Sequence, residues 1–427
     1  MLVNKIKFNN FRSFKDIDVD LGNFNVLIGA NASGKSNFIQ AFKFLRDIKD
    51  FGLENAISMQ GGIKYLRNIR IGNTGDLSVE IQFDGVFSHI NKDSNGGYTA
   101  VKFTDSAYTF TMRFHKKGEG FTIVKDKLEQ NCEWYEIEKP FKTVYEISKG
   151  KTLWNGKFIN EVFGPRRNRR VFSTFDPRTE DIESKLDMML PRSVETYEFK
   201  ERELMWEHRF SYNIIPPLAL FIEYTAIYDF DPKLPKKAVP ITGKAELEED
   251  GSNLALVLKN IIKDKEQKRR FLNLIQDLLP FIDDLGISKF ADKSHIFKLR
   301  EKYFKDQYLP ASLISDGTIN LTALIIALYF EKKDFIIIEE PERNVHPALI
   351  SNMIEMMKDA SEKKQIIVTT HNPEVVRHAG LENLLFVSRD SDGFSEIKRL
   401  HEREEIKTFL KHEIGVEDLY ILDLLEG

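Results

Sequence analysis

Over Met1 to Phe8 apolar and polar side chains alternate, the period of a strand with one buried face. Phe24 to Ile28 is instead a short, mostly apolar run that stops at Gly29, and past Lys35 the residues Phe38, Phe42, Leu45 and Ile48 recur at helical spacing. These patterns predict a strand, a glycine loop and a helix. From Leu77 to about Ile147 the period is two: Leu77, Val79, Ile81 and Phe83 alternate with polar neighbours, as do Tyr108, Phe110, Met112 and Phe114. An antiparallel meander is expected there, with turns at Asn95 to Gly97 and Gly118 to Gly120. Between about Thr179 and Lys289 the texture is helical and charged, in Glu180 to Phe210 and in the amphipathic run Leu254 to Leu279, with the Pro-rich stretch Asp231 to Pro240 dividing the two. After Ser315 helices and apolar strands take turns: helix Thr318 to Phe330, strand Phe335 to Ile338, helix Pro347 to Ala360 and strand Ile366 to Thr369. Such alternation predicts a parallel sheet with crossover helices.

Composition adds limits. A chain of 427 residues with 42% hydrophobic and 30% charged residues is globular and exceeds the usual size of a single core. The net charge of -4 gives no global attraction for nucleic acid, although a local basic patch stays open. The single Cys132 excludes an internal disulfide framework or a cysteine-rich zinc site and fits a reducing compartment. The amino terminus lacks the pattern of a signal peptide, and no apolar stretch approaches the roughly 18 residues of a membrane span. The expectation is a cytoplasmic chain without membrane contact.

Candidate chemistry lies at the element ends. Gly29-Ala30-Asn31-Ala32-Ser33-Gly34-Lys35-Ser36, followed by Asn37, matches the Walker A phosphate-binding pattern between a strand and a helix. Small residues let backbone N–H groups wrap phosphates at the positive end of the helix. Lys35 would then reach the β- and γ-phosphates of ATP, and the Ser36 hydroxyl would coordinate Mg²⁺. The strand Phe335 to Ile338 ends in Glu339-Glu340-Pro341, which puts two carboxylates at the edge where parallel sheets bind ligands. Glu339 would hold Mg²⁺, and Glu340 would orient and activate the attacking water. Ser315-Asp316-Gly317-Thr318 precedes an apolar helix, and Thr370-His371-Asn372-Pro373 follows an apolar strand. Alone, the first reads as an ordinary helix cap and the second as a satisfied loop histidine.

Taken in order, these motifs resemble those of the ATP-binding-cassette ATPases of the SMC, RecF and OLD type, most closely the RecF/OLD-like group labelled AAA-21 or AAA-15. Ser315 to Thr318, Glu339 to Pro347, Thr369 to Pro373 and Asp250 to Leu254 carry the resemblance, and Phe8 to Phe14 looks like that family's first strand, whose arginine, here Arg12, contacts the nucleotide. The resemblance implies an α/β ATPase head: residues 1–175 holding Walker A and an antiparallel β subdomain, 176–300 a mostly helical insertion, and 301–427 the signature, Walker B and switch histidine. It implies further that Ser315 and Gly317 meet the γ-phosphate bound to a second subunit in a homodimer or higher oligomer. His371 becomes the switch histidine and Glu342 to Pro347 the D-loop. Glu339 and His346 both replace the aspartates usual in the wider family, and no Q-loop is assigned.

OLD proteins carry a TOPRIM nuclease after the ATPase, and the roughly 55 residues after His371 are expected to be too few for one; Ile414 to Tyr420 would complete the ATPase instead. The resemblance therefore implies the ATPase subunit of a bacterial anti-phage system, similar to those of Septu and PARIS, controlling a separate TOPRIM-like or HNH nuclease or a toxin. The alternative is a RecF-like ATPase in DNA maintenance. For that reading Arg166, Arg167, Arg169 and Arg170, with Lys151 and Lys157, would meet DNA phosphates, unless they pair with the acidic stretch after Thr179.

Overall fold

The computed structural model describes residues 2–92, 98–137, 151–164, 169–180, 196–208, 223–240, 242–290, 294–304 and 307–400. The expected turn at Asn95 to Gly97, most of Glu180 to Phe210, Arg166, Arg167 and the tail with Ile414 to Tyr420 lie outside the described residues. The chain folds as two units, each assembled from three separate segments, and the boundary between them cuts the glycine-rich motif between Lys35 and Ser36.

The first unit comprises residues 1–22, 36–223 and 389–397. It holds strands β1 (Leu2–Phe11) and β2 (Phe14–Asp20), and β3 (Phe24–Ile28) follows in the chain but belongs to the other unit. Helices α1 (Lys35–Phe51), α2 (Leu53–Met59) and α3 (Ile63–Leu66) come next. The meander is β4 (Leu77–Lys92), β5 (Tyr98–Phe114), β6 (Phe121–Ile137), β7 (Lys151–Phe163) and β8 (Arg170–Asp176). It pairs antiparallel in chain order, and β4 continues onto β1 and β1 onto β2. The period-two pattern is realised: Leu77, Val79, Ile81 and Phe83 are buried, as are Tyr108, Phe110, Met112 and Phe114. The turn at Gly118 to Gly120 closes with the His115 amide donating to the Gly120 carbonyl at 2.8 Å.

The second unit comprises residues 23–35, 224–388 and 398–427. Its strands are β3, β9 (Thr225–Tyr228), β10 (Val239–Pro240), β11 (Ile282–Phe290), β12 (Ser294–Glu301), β13 (Leu309–Pro310), β14 (Phe335–Glu339), β15 (Gln365–Thr370) and β16 (Leu384–Arg389), while β17 (Ser395–Arg399) pairs with β2. Helices α4 (Leu254–Lys263), α5 (Lys265–Leu278), α6 (Asp316–Tyr329), α7 (Ile350–Ser361) and α8 (Pro373–Ala379) complete it. Its core is a parallel sheet ordered β16-β3-β15-β14-β9. β3, β14, β15 and β9 are buried nearly throughout, as is usual for strands of a parallel sheet. The alternating pattern after Ser315 thus took the expected form.

Two expectations change. The amphipathic run Leu254 to Leu279 is two helices, because Asp264 breaks it and caps the second by accepting from the Gln267 amide at 2.9 Å. The helical texture expected through Lys289 ends at Leu278, and β11 and β12 form a hairpin beyond it. There Leu285, Phe297 and Leu299 are buried, so the alternation favours a strand over a helix.

Candidate nucleotide site

The register of the parallel sheet aligns the candidate motifs. Thr370 pairs with Ile28, Glu339 with Thr369, and Ile338 with Tyr228. The glycine loop, the two glutamates, His371 and Asp229 therefore all leave the carboxyl ends of strands of one parallel sheet, the edge at which such sheets bind ligands. Residues scattered over more than 340 positions share one sheet edge.

The loop is built for close approach. A Cβ on Gly29 would lie 2.2 Å from the Val387 carbonyl oxygen, so a side chain there cannot fit. Ala32 and Gly34 take φ of 63° and 129°, in the left-handed half of the map that wraps amides inward. The Ser33 amide donates to the Ala30 carbonyl at 3.2 Å. Lys35 Nζ spans the loop, donating to the carbonyls of Gly29 at 2.7 Å and Ala30 at 3.0 Å. Burial lowers the Lys35 pKa, opposed by the negative charges of Glu340 and Glu342. The cradle thus fits a polyphosphate: amides at the start of a 17-residue helix and an ammonium beside them.

Glu340 is fixed at both oxygens. His371 Nδ1 lies 3.0 Å from Oε1, and Arg343 Nη2 donates to Oε2 at 3.1 Å. Its backbone adopts φ 44°, and its amide donates to the Thr369 carbonyl at 3.0 Å, which ties the end of β14 to β15. Burial pushes its carboxyl pKa up, but the hydrogen bonds and charges of Arg343 and His371 outweigh it and leave the group below its ordinary value. Glu340 is thus an ionised acceptor, which puts a proton on the His371 Nδ1 that faces it. Glu342, within the expected D-loop, is buried, and its Oε1 accepts from Thr370 Oγ1 at 2.5 Å. Burial raises its pKa despite that bond.

The other candidates have definite places. Ser315 caps α6, its Oγ accepting from the Thr318 amide at 3.2 Å. A Cβ on Gly317 would lie 2.4 Å from the Asn344 carbonyl oxygen, which explains glycine there by close approach. His346 accepts from the Ala348 amide at 3.2 Å through Nδ1, an ordinary cap where the wider family has aspartate. In the first unit, Arg12 donates from Nη2 to Gln60 Oε1 at 2.5 Å, and Asn37 donates to Ser13 Oγ at 2.8 Å. Arg343 and Asp229 join the site only through the fold. Asp229 carried no local signal, being one acidic residue in a polar loop. Asp250 to Leu254 builds the turn beside it: the Asp229 amide donates to the Glu249 carbonyl at 2.9 Å, and Asn253 accepts from the Glu248 amide at 2.9 Å.

The basic run expected as a DNA contact is partly internal. Arg169 is only 5% exposed, lies 3.7 Å from Asp126 and donates to three backbone carbonyls, so it is withdrawn as a phosphate ligand. Arg170 pairs with Glu198, in the acidic stretch that the competing reading named. Lys151 and Lys157 are exposed.

A glycine loop at a helix start, with acidic residues at the end of another buried strand of the same parallel sheet, is the arrangement of a P-loop ATPase. A family model described as an AAA ATPase domain matches residues 1–376, and the chain belongs to that family. Over 58 residues the chain is 40% identical to the endonuclease GajA of Bacillus cereus, covering 13% of this chain and 10% of GajA. Over 100 residues it is 32% identical to the DNA replication and repair protein RecF of Nitrosococcus oceani, covering 22% of this chain and 28% of RecF. These matches span well under a third of either relative. Among solved structures, an SMC head bound to the C-terminal winged-helix domain of ScpA matches 93% of this chain and 98% of its own at 16% identity and a TM-score of 0.47. The SMC head domain from Thermotoga maritima matches with a TM-score of 0.42, also at 16% identity. Among the described residues no helix is long and apolar enough to cross a membrane.

Proposed function

We propose that the chain binds ATP between two copies of itself and hydrolyses it, and that this cycle controls a separate nuclease or toxin in an anti-phage system. The observation that carries the chemistry is the ionised Glu340, held at both oxygens on the same sheet edge as the glycine loop. The amides of Gly29 to Gly34 and the Lys35 ammonium would bind the β- and γ-phosphates, with the hydroxyl of the next residue, Ser36, adding a contact. Water attacks the γ-phosphorus, the bond to the ADP oxygen breaks, and the water's proton passes toward Glu340. Mg²⁺ suits the hard oxygen donors of Ser36 and Glu339 and would neutralise charge on the phosphates. Among the described residues no three His, Cys, Asp or Glu side chains converge on a metal position, so phosphate oxygens and water would complete its shell.

In this reading Ser315 and Gly317 of one copy complete the site of the other. Glu340→Gln should retain ATP and accumulate as a dimer without turnover, and Lys35→Ala should lose nucleotide and dimer together. Phosphate release by Glu340→Gln at the wild-type rate would refute the assignment. The effector half draws its support from the similarity to an endonuclease. It is tested by copurification with the product of the adjacent gene, a nuclease assay on the complex, and phage challenge with both genes present.

The RecF similarity supports a second reading, an ATPase acting on DNA. That reading expects ATP-dependent DNA affinity falling steeply with salt; no binding at low salt would dismiss it.

A further inference from the structure

We propose that Arg343, anchored by Asp229, is the positioning residue that aims the Glu340 carboxylate. This rests on Glu340 orienting the attacking water. A carboxylate has two oxygens with two acceptor positions each; here Oε1 meets His371 at 3.0 Å, and Oε2 accepts from Arg343 twice, from Nη2 at 3.1 Å and from Nε at 3.4 Å. The plane of the group is thereby set, and its remaining lone pairs point in fixed directions. With either partner gone, one pin remains and the carboxylate can swing about it.

Arg343 is itself held on three sides. Its Nη1 donates to Asp229 Oδ1 at 3.1 Å, and Asp229 follows β9, which pairs alongside β14. Its carbonyl accepts from Asn320 Nδ2 at 2.7 Å, from the helix that Ser315 caps. The next carbonyl, of Asn344, lies where any Cβ on Gly317 would strike it, at 2.4 Å. The guanidinium is planar and forked, so it can bridge two carboxylates with its geometry preserved. Arg343 and Asp229 are 41% and 50% exposed at their side chains, so the pair adds little to stability. Its role is geometric.

Arg343→Ala should lower kcat by roughly a hundredfold, the scale of a misplaced reacting group. The dissociation constant for a non-hydrolysed ATP analogue and the melting temperature should stay near wild type. Arg343→Lys should recover part of kcat. Asp229→Asn should lower kcat less, and should add nothing in the Arg343→Ala background. A loss confined to nucleotide affinity or additive losses for the 229 and 343 changes would overturn the proposal. Wild-type turnover by Glu340→Gln alone would instead refute the role of Glu340, so the two failures are distinguishable.

Discussion

Glu207 shows how far burial can shift the titration of a single side chain. Its Oε1 accepts from the Leu204 amide at 2.7 Å. Burial raises its pKa from 4.5 to about 7, opposed by hydrogen bonds from the backbone of Leu204 and Leu53 and assisted by the charges of Glu203 and Asp126. A carboxyl whose folded pKa exceeds its unfolded value binds its proton more tightly when folded. Its contribution is therefore complete below about pH 4.5 and is lost as pH rises through about 7. Glu207→Gln should remove up to about 3 kcal/mol of the fall in stability between those limits. Urea unfolding at pH 5 and pH 8 checks this, and an undiminished pH dependence in the variant would contradict it. Nothing in Met205-Trp-Glu207 marks that glutamate in the sequence, because its environment is supplied by α2 and by Asp126, 81 positions upstream.

At the scale of elements, the informative contact joins the turn after β14 to the start of α6. The sequence offered Ser315-Asp-Gly-Thr as a motif and Glu339 to Pro347 as another, and both stand where strand ends and helix starts put them. Only the fold brings Gly317 against Asn344. Gly317→Ala should cost about 1–3 kcal/mol by overpacking, and because the displaced carbonyl adjoins Arg343 it should also reduce turnover. Thermal melting together with phosphate release measures both; a variant with full stability and full turnover would show that the approach is looser than 2.4 Å implies. The same scale explains the misread stretch before Ser315. Hydrophobic spacing in Ile282 to Glu301 suits a two-residue period, but the charged residues around it mimic an exposed helix until β11 and β12 pair.

For the whole molecule, the proposed composite site makes a test by mixing. Ser315→Arg should be inactive because it cannot complete a partner's site, and Lys35→Ala because it cannot hold nucleotide. A mixed dimer keeps one site with Lys35 from the first variant and Ser315 from the second. Mixing should therefore restore phosphate release that neither variant shows alone. No recovery at any ratio, with both variants folded, would favour a site complete within one chain. The two-unit organisation makes this worth testing, since each unit gathers three separated segments and their limits do not follow the motif boundaries.

The sequence by itself determined the elements and the chemistry they carry. An apolar run that stops at a glycine loop, a buried strand that ends in two glutamates, and a period of two through the meander are local patterns, set by backbone geometry and side-chain burial within a few residues. Tertiary structure decided which of those residues work together. Strand order and register come from hydrogen bonds between segments far apart, so the pairing of β9 beside β14 determines that Asp229 meets Arg343 across 114 positions. It also turned Arg169 inward, where Asp126 and backbone carbonyls satisfy a charge that the sequence shows only as one more arginine in a basic run.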